Sequence, residues 1–127
     1  MKISHIAIFA KDLEAMKLFY TRYFNGVSNA KYVNPVKRFE SYFISFDTGA
    51  KLEIMSKAGI VKPAETEECI GINHIAFKLE SKKAVVDLTE RLRKDGFIIS
   101  GEPRTTGDGF FESLVLDPEG NRVEITA

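Results

Sequence analysis

The sequence of 127 residues has one cysteine, no tryptophan and no net charge. The single cysteine, Cys69, cannot form an internal disulfide and is typical of a reducing, cytoplasmic environment. Basic and acidic residues are balanced at 18 each, which argues against a nucleic-acid-binding domain, because such domains are usually basic. No apolar stretch approaches the roughly 18 residues of a membrane-spanning helix, and the amino terminus has no signal-peptide pattern. We therefore expect a cytoplasmic globular protein whose partner is neither nucleic acid nor a membrane.

The chain contains an internal repeat. Its opening segment, His5-Ile6-Ala7-Ile8, returns 69 residues later as His74-Ile75-Ala76-Phe77. A second similarity links residues 46–54 with residues 116–125, and the glutamates of these two segments are 71 residues apart. Two copies of one segment predict a duplicated module. We predict a single domain, 1–127, made of module 1 at about 1–56, a linker at 57–70 and module 2 at about 71–127.

Each module has the pattern of a strand, a helix and several further strands, which indicates an α+β fold. In module 1 we predict a strand over 3–9, a helix from an Asp12 N-cap, and a hairpin formed by 39–46 and 51–55. In module 2 we predict a helix from a Ser81 N-cap, a short strand over 97–100, a glycine-rich loop over 101–109, and strands over 110–116 and 122–126. Gly26 and Gly96 stand where a left-handed residue would end each helix.

The segment 57–70 is long for a connection between two modules. It contains Gly59, Pro63 and three glutamates. We interpret it as a solvated linker, and a lid over the site is the alternative.

Four residues fall on equivalent positions of the two modules. His5 and His74 are the only histidines of the chain, and each opens the first strand of its module. Glu53 and Glu124 each lie between two apolar residues in the last strand of a module. Because side chains alternate between the two faces of a strand, each pair converges if the two strands are neighbours. Any one of these residues alone is more typical of a sheet surface, but the joint repetition indicates a site.

The four side chains suit a divalent metal. Neutral imidazole and carboxylate are ligands of Zn²⁺, Ni²⁺, Co²⁺, Mn²⁺ and Fe²⁺. Two glutamates and two neutral histidines around a dication sum to zero formal charge, which lowers the cost of burying the ion. The sequence therefore predicts one divalent metal bound by His5, Glu53, His74 and Glu124, and it leaves the identity of the metal open.

These motifs resemble the vicinal oxygen chelate superfamily, which includes glyoxalase I, epimerases, ring-cleaving dioxygenases and bleomycin-resistance proteins. The resemblance rests on the two His-Ile-Ala segments and on the closing segment 116–125, and it covers nearly the whole chain. It implies two paired βαβββ modules that form an incomplete barrel around a metal site, often in a homodimer. The ligand order His, Glu, His, Glu is similar to that of bacterial glyoxalase I, whereas the epimerases usually have Gln at the position of Glu53.

The resemblance also implies a mechanism. A small 2-oxo or hemithioacetal substrate would undergo proton transfer through a metal-stabilised enediolate, as in a lactoylglutathione lyase. By resemblance, Glu124 is the main base and Glu53 acts on the opposite face of the substrate, so both are predicted catalytic residues.

One position departs from the glyoxalase I pattern. Glyoxalase I typically has an arginine on its first strand that binds a glutathione carboxylate, and the corresponding residue here is Phe9. Arg22, Arg38 and Arg104 are possible substitutes. The aromatic residues Phe9, Phe43, Phe110 and Phe111 either line an apolar pocket or pack in the core.

Three other activities within the superfamily remain as alternatives. The first is a non-catalytic drug- or metabolite-binding protein of the bleomycin-resistance type, which would have an aromatic cleft and no metal. The others are an epimerase and a ring-cleaving dioxygenase; the short chain and the fourth ligand argue against the dioxygenase.

Overall fold

The computed structural model describes residues 2–61, 71–107 and 109–127. The chain divides into two compact units, unit 1 at Met1–Glu65 and unit 2 at Thr66–Ala127. Most of the predicted linker 57–70, including Cys69 and the three glutamates, lies outside the described residues. Within the described part of the chain, neither helix has the length and apolar character that crossing a membrane requires.

Unit 1 is a mixed sheet covered by one helix. Its elements in chain order are β1 His5–Phe9, α1 Leu13–Tyr23, β2 Val27–Ser28, β3 Tyr32–Asn34, β4 Phe39–Ser45 and β5 Lys51–Lys57. The strand order is β1-β5-β4-β2, and β3 also pairs with β4. The first strand, β1, is parallel to the last strand, β5, and β5 is antiparallel to β4.

Unit 2 repeats this arrangement. Its elements are β6 Ile75–Lys78, α2 Lys82–Lys94, β7 Ile99–Thr105, β8 Phe111–Leu116 and β9 Arg122–Thr126, in the strand order β6-β9-β8-β7. The predicted α+β class and the two βαβββ units are confirmed. The units differ at one edge, where the two short strands β2 and β3 of unit 1 occupy the place of the single strand β7 in unit 2.

The predicted loop over 101–109 is wrong in its first half, because β7 continues to Thr105. The ladder with β8 shifts register on both sides of Gly101 and then resumes with Arg104 opposite Glu112. Such irregularities accommodate Gly101 and Pro103, since β7 is an edge strand whose outer backbone groups need no partner strand. Glycine and proline were therefore misread as a loop.

The predicted helix starts are confirmed. The Asp12 carboxylate accepts a hydrogen bond from the Ala15 backbone N–H at 2.9 Å, and the Ser81 hydroxyl accepts one from the Ala84 N–H at 3.1 Å. Each side chain satisfies one of the backbone donors that a helix start leaves without a partner in the helix.

Only one of the two predicted left-handed glycines has that conformation. Gly96 has a φ of +90° and ends α2 with hydrogen bonds from its own N–H to Arg93 and from the Phe97 N–H to Leu92, the pattern of a Schellman motif. At the end of α1 the left-handed residue is Asn25, with a φ of 54°. Gly26 instead allows a close approach of the chain to Ile44 of β4.

Each helix covers one face of its sheet. Helix α1 buries its apolar stripe against alternate residues of β4 and β5, namely Tyr42, Ile44, Leu52 and Ile54. Helix α2 does the same against β8 and β9, where Ser113, Val115, Val123 and Ile125 are buried. Because side chains alternate, the residues between these positions point to the other side. We call this second side the open face, defined as the face that the unit's own helix does not cover.

A small ionic cluster ties α1 to β3 and β4. The Lys31 ammonium lies 2.8 Å from the Glu14 carboxylate and 3.2 Å from that of Glu40. The Tyr42 hydroxyl also donates to Glu14, at 2.9 Å. The hydrogen bond from Lys31 is the main cause that lowers the pKa of Glu14 below its ordinary value of 4.5, and the same contact raises the pKa of Lys31.

We predict that Gly26→Ala destabilises unit 1 by about 1–3 kcal/mol, the usual cost of overpacking. A Cβ at this position would overlap Ile44 Cγ2 and lie 3.0 Å from the Tyr20 carbonyl oxygen. Chemical denaturation of both proteins measures the difference. Gly107→Ala is the control, because an added Cβ there meets nothing within 4 Å. Equal stability of both variants would contradict the close approach.

We predict that Glu14→Gln weakens the acid dependence of stability. A carboxylate with a depressed pKa stabilises the folded state above its unfolded pKa, and this contribution is lost as the pH falls below about 4.5 through the folded pKa. The variant should melt about 1–2 °C lower at neutral pH, and the gap to the wild type should close towards pH 3. Melting curves across this range test it, with the exposed Glu80→Gln as control; a gap that stays constant with pH would contradict the assignment.

Candidate metal centre

The first His–Glu pair lies at the junction of β1 and β5. In this parallel pair Ala7 is opposite Glu53, and His5, two residues before Ala7, shares its face because side chains alternate. Leu52 and Ile54, the neighbours of Glu53, are buried towards α1, so Glu53 points to the open face. The His5 Nε2 atom lies 3.7 Å from Glu53 Oε2.

The second pair has the same construction in unit 2. Ala76 of β6 is opposite Glu124 of β9, and the two strands are parallel. His74 immediately precedes β6, and its Nε2 atom lies 3.5 Å from Glu124 Oε2. The neighbours Val123 and Ile125 are buried towards α2. The expectation that each histidine has its glutamate on an adjacent strand is therefore confirmed.

The two pairs also match in burial. The histidine side chains are 42% and 39% exposed, and both glutamate side chains are 15% exposed. Each carboxylate is thus held in the sheet while each imidazole is reachable from solvent. This is a suitable arrangement for ligands that must receive an ion from solution.

The polar residue before each histidine contacts the far nitrogen of the ring. Asn73 Oδ1 lies 3.0 Å from His74 Nδ1, and Ser4 Oγ lies 3.3 Å from His5 Nδ1. An amide oxygen only accepts hydrogen bonds, so Nδ1 of His74 carries a proton and the neutral ring presents the lone pair of Nε2 to Glu124. Two acceptors that face each other favour a cation or a proton between them.

The spacing within each pair fits two ligands of one ion. Atoms bound at roughly 2.0–2.2 Å to a single metal, at ordinary ligand angles, lie about 3.0–3.4 Å apart. The observed separations of 3.7 and 3.5 Å exceed this by a few tenths of an ångström. Among the described residues, no three side chains of histidine, cysteine, aspartate or glutamate form one group. The four predicted residues are therefore seen as two pairs, one within each unit.

Apolar side chains flank both glutamates. Phe43 of β4 is opposite Glu53, and Leu114 of β8 is opposite Glu124. The Phe43 ring also packs edge-on against the imidazole of His5, with the ring centroids 5.3 Å apart. Of the aromatic residues considered from sequence, Phe43 thus contacts the candidate site directly, whereas Phe111 lies under the Lys82 ammonium of α2.

The three candidate arginines lie elsewhere. Arg22 is on α1 with its guanidinium 5.3 Å from the centre of the Tyr23 ring. Arg38 is in the turn between β3 and β4 with a φ of 49°. Arg104 of β7 is 3.3 Å from the Glu112 carboxylate of β8. Position 9, on the open face of β1, remains an exposed phenylalanine.

Sequence reasoning did not single out Ser4 or Asn73. A signal for them was present, since a polar residue with a side-chain oxygen precedes the repeated His-Ile-Ala in both modules. Partners of the second ring nitrogen fix the tautomer and orientation of a metal-binding histidine. These two residues therefore belong to the candidate site.

Comparison with known proteins agrees with this architecture. The uncharacterized protein YqjT of Bacillus subtilis is 30% identical over 129 residues, which cover 97% of this chain and 96% of YqjT. A crystal structure of a glyoxalase family protein from Enterococcus faecalis is 24% identical, with a TM-score of 0.81 over 99% of this chain and 97% of that protein. Glyoxalase I from Zea mays is 22% identical, with a TM-score of 0.79 over 98% of this chain and 44% of that chain.

A family profile gives the broadest match. It covers residues 2–125 and describes proteins of the glyoxalase type. Together with YqjT it establishes membership over nearly the full length. The chain belongs to the Glyoxalase/Bleomycin resistance protein/Dioxygenase superfamily.

Proposed function

We propose that this protein is a metal-dependent lyase or isomerase of the glyoxalase I type, acting on a small 2-oxo compound or a hemithioacetal. One divalent ion would be bound by His5, Glu53, His74 and Glu124 together. The observation that carries the proposal is the equivalent His–Glu pair in each unit, with N···O separations of 3.7 and 3.5 Å. A pair with surface character alone has no reason to recur with the same partners and the same burial.

The donor set favours a catalytic ion over a structural one. Four protein ligands of the N₂O₂ type suit Zn²⁺, Ni²⁺, Co²⁺, Mn²⁺ or Fe²⁺. The ions that expand their coordination beyond four retain positions for two substrate oxygens. When bound, the ion supplies Lewis acidity that stabilises negative charge developing on those oxygens.

The chain's own residues supply the proton transfer. The Glu124 carboxylate, which is 15% exposed, would accept the proton on the carbon next to the carbonyl and return it to the neighbouring carbon. Glu53, the equivalent group in unit 1, would act on the opposite face of the substrate. His5 and His74 have no proton to move in this scheme and would hold the ion throughout.

A binding protein of the bleomycin-resistance type is the second candidate. It is favoured by the aromatic residues of unit 1, because Phe9 is 52% exposed and Phe43 lines the His5 ring. This candidate requires no metal. Metal content therefore separates the two functions directly.

We predict that the untagged protein, purified without chelators, retains close to one divalent ion per chain by elemental analysis. Glu124→Gln should lower this content, since an amide is a weaker and neutral ligand. Glu80→Gln, an exposed glutamate of the same unit, is the matched control and should leave the content unchanged. A protein that contains no metal and takes up none of the five ions would contradict the proposal and favour the binding protein.

We predict that Glu124→Gln lowers kcat for methylglyoxal–thiol adducts by about 100-fold or more, the usual contribution of a positioned base. The assay should be run with metal restored to saturation, so that lost affinity is separated from lost chemistry. Full activity of the metal-saturated variant would exclude Glu124 as the base.

We also propose that the working form is a homodimer. An equimolar mixture of Glu53→Gln and Glu124→Gln subunits tests whether the two pairs serve one site within a chain or across two chains. Dimers that exchange subunits regain activity only in the shared arrangement, because one of their two sites then has all four native ligands. Sedimentation of the unmixed proteins provides the oligomeric state.

A further inference from the structure

The open faces of the two units correspond position by position but differ in chemistry. Around the His–Glu pair of unit 1 lie Phe9 of β1, Met55 of β5 and Phe43 of β4. The equivalent positions around the pair of unit 2 are Lys78, Thr126 and Leu114. We call the first set, Phe9, Phe43 and Met55, the apolar rim.

The register places the apolar rim next to the candidate ligands. Phe9 is opposite Met55 in the parallel pair of β1 and β5, two residues beyond the pairing of Ala7 with Glu53. Phe43 is opposite Glu53 on the other side of β5, and its ring touches His5. The Glu53 carboxylate therefore has apolar side chains on two sides.

The apolar rim is not required by the fold. Unit 2 has the same strand order and the same parallel pairing with a lysine and a threonine at two of the three positions. Packing against the helix does not explain the rim either, because its members point away from α1. Phe9 remains 52% exposed, and a contiguous exposed apolar set beside polar ligands is typical of a surface that contacts a ligand.

We propose that the substrate carries an apolar group, aromatic or branched alkyl, next to its 2-oxo centre, and that this group lies on Phe9, Phe43 and Met55. The inference rests on the proposed function, since it takes the reacting oxygens to be bound at the His5–Glu53 side. It also follows that the part of the substrate near β1 is uncharged, because a phenylalanine at position 9 offers no counter-ion to a carboxylate. Unit 2 would contact the polar remainder.

Equilibrium binding of two unreactive probes tests this specificity. Phenylglyoxylate and pyruvate have the same two vicinal oxygen groups and the same charge, and they differ in a phenyl against a methyl group. Calorimetry on the Co²⁺-loaded protein should give at least about tenfold tighter binding of phenylglyoxylate, since apolar contacts of this size distinguish ligands by about 10- to 200-fold. The ratio of the two dissociation constants cancels effects on metal loading.

Exchanging the rim for its unit 2 counterpart should remove the preference. In the double variant Phe9→Lys with Met55→Thr, the ratio should fall to within about twofold of unity while one Co²⁺ per chain is still bound. The matched control is Lys78→Gln with Thr126→Ser at the equivalent positions of unit 2, which should leave the ratio unchanged. Phe43→Leu, which creates the residue found in unit 2, is the conservative variant if the double variant does not fold, and it should lower the ratio by about threefold.

The possible outcomes separate the two proposals. Equal binding of both probes to a Co²⁺-loaded protein would overturn the apolar rim and leave the metal-dependent function standing. Failure to bind Co²⁺ at all would overturn both. A double variant that changes from dimer to monomer in sedimentation, with an unchanged ratio, would identify the rim as a subunit interface and would also overturn the inference.

Discussion

The candidate site depends on the parallel pairing of the first and last strands of each unit. This pairing puts Ala7 opposite Glu53 and Ala76 opposite Glu124, so that a histidine two positions earlier lies diagonally across from each carboxylate. A shift of one residue in either register would turn the glutamate towards the helix, where Leu52, Ile54, Val123 and Ile125 are buried. The apolar residues on both sides of each glutamate therefore hold the ligand in place, and core packing and site geometry follow from the same register.

The two units show that this geometry tolerates different cores. In unit 1 the helix packs with aromatic side chains, including the buried Tyr20 and Tyr42. In unit 2 the contact between α2 and β8 includes two buried hydroxyls, Thr89 and Ser113, which share a hydrogen bond at 2.7 Å. The His–Glu separations nevertheless agree within 0.2 Å, at 3.7 and 3.5 Å. The distance within a pair is thus fixed by strand pairing, and the side chains beneath the sheet can change independently.

The repeat made most of the fold readable from sequence. Equal spacing of His5 and His74, and of Glu53 and Glu124, predicted both modules and both pairs, because alternation in a strand converts spacing into a shared face. The sequence was misleading where conformation depends on distant neighbours: Gly26 is needed for its approach to Ile44, and β7 extends through Gly101 because β8 continues the ladder. The contact between Phe43 and His5 likewise depends on how β4 aligns with β5, a register that no local pattern specifies.

The central claim is that both His–Glu pairs bind the same ion, and a tryptophan reporter tests it most directly. The chain has no tryptophan, so Phe43→Trp and Leu114→Trp each introduce a single fluorophore, the first beside His5 and the second opposite Glu124. Titration with Co²⁺, which quenches nearby indole emission, should quench both variants along the same curve and saturate at one equivalent per chain. Quenching of only one variant, or saturation at two equivalents, would contradict the claim and indicate pairs that act separately.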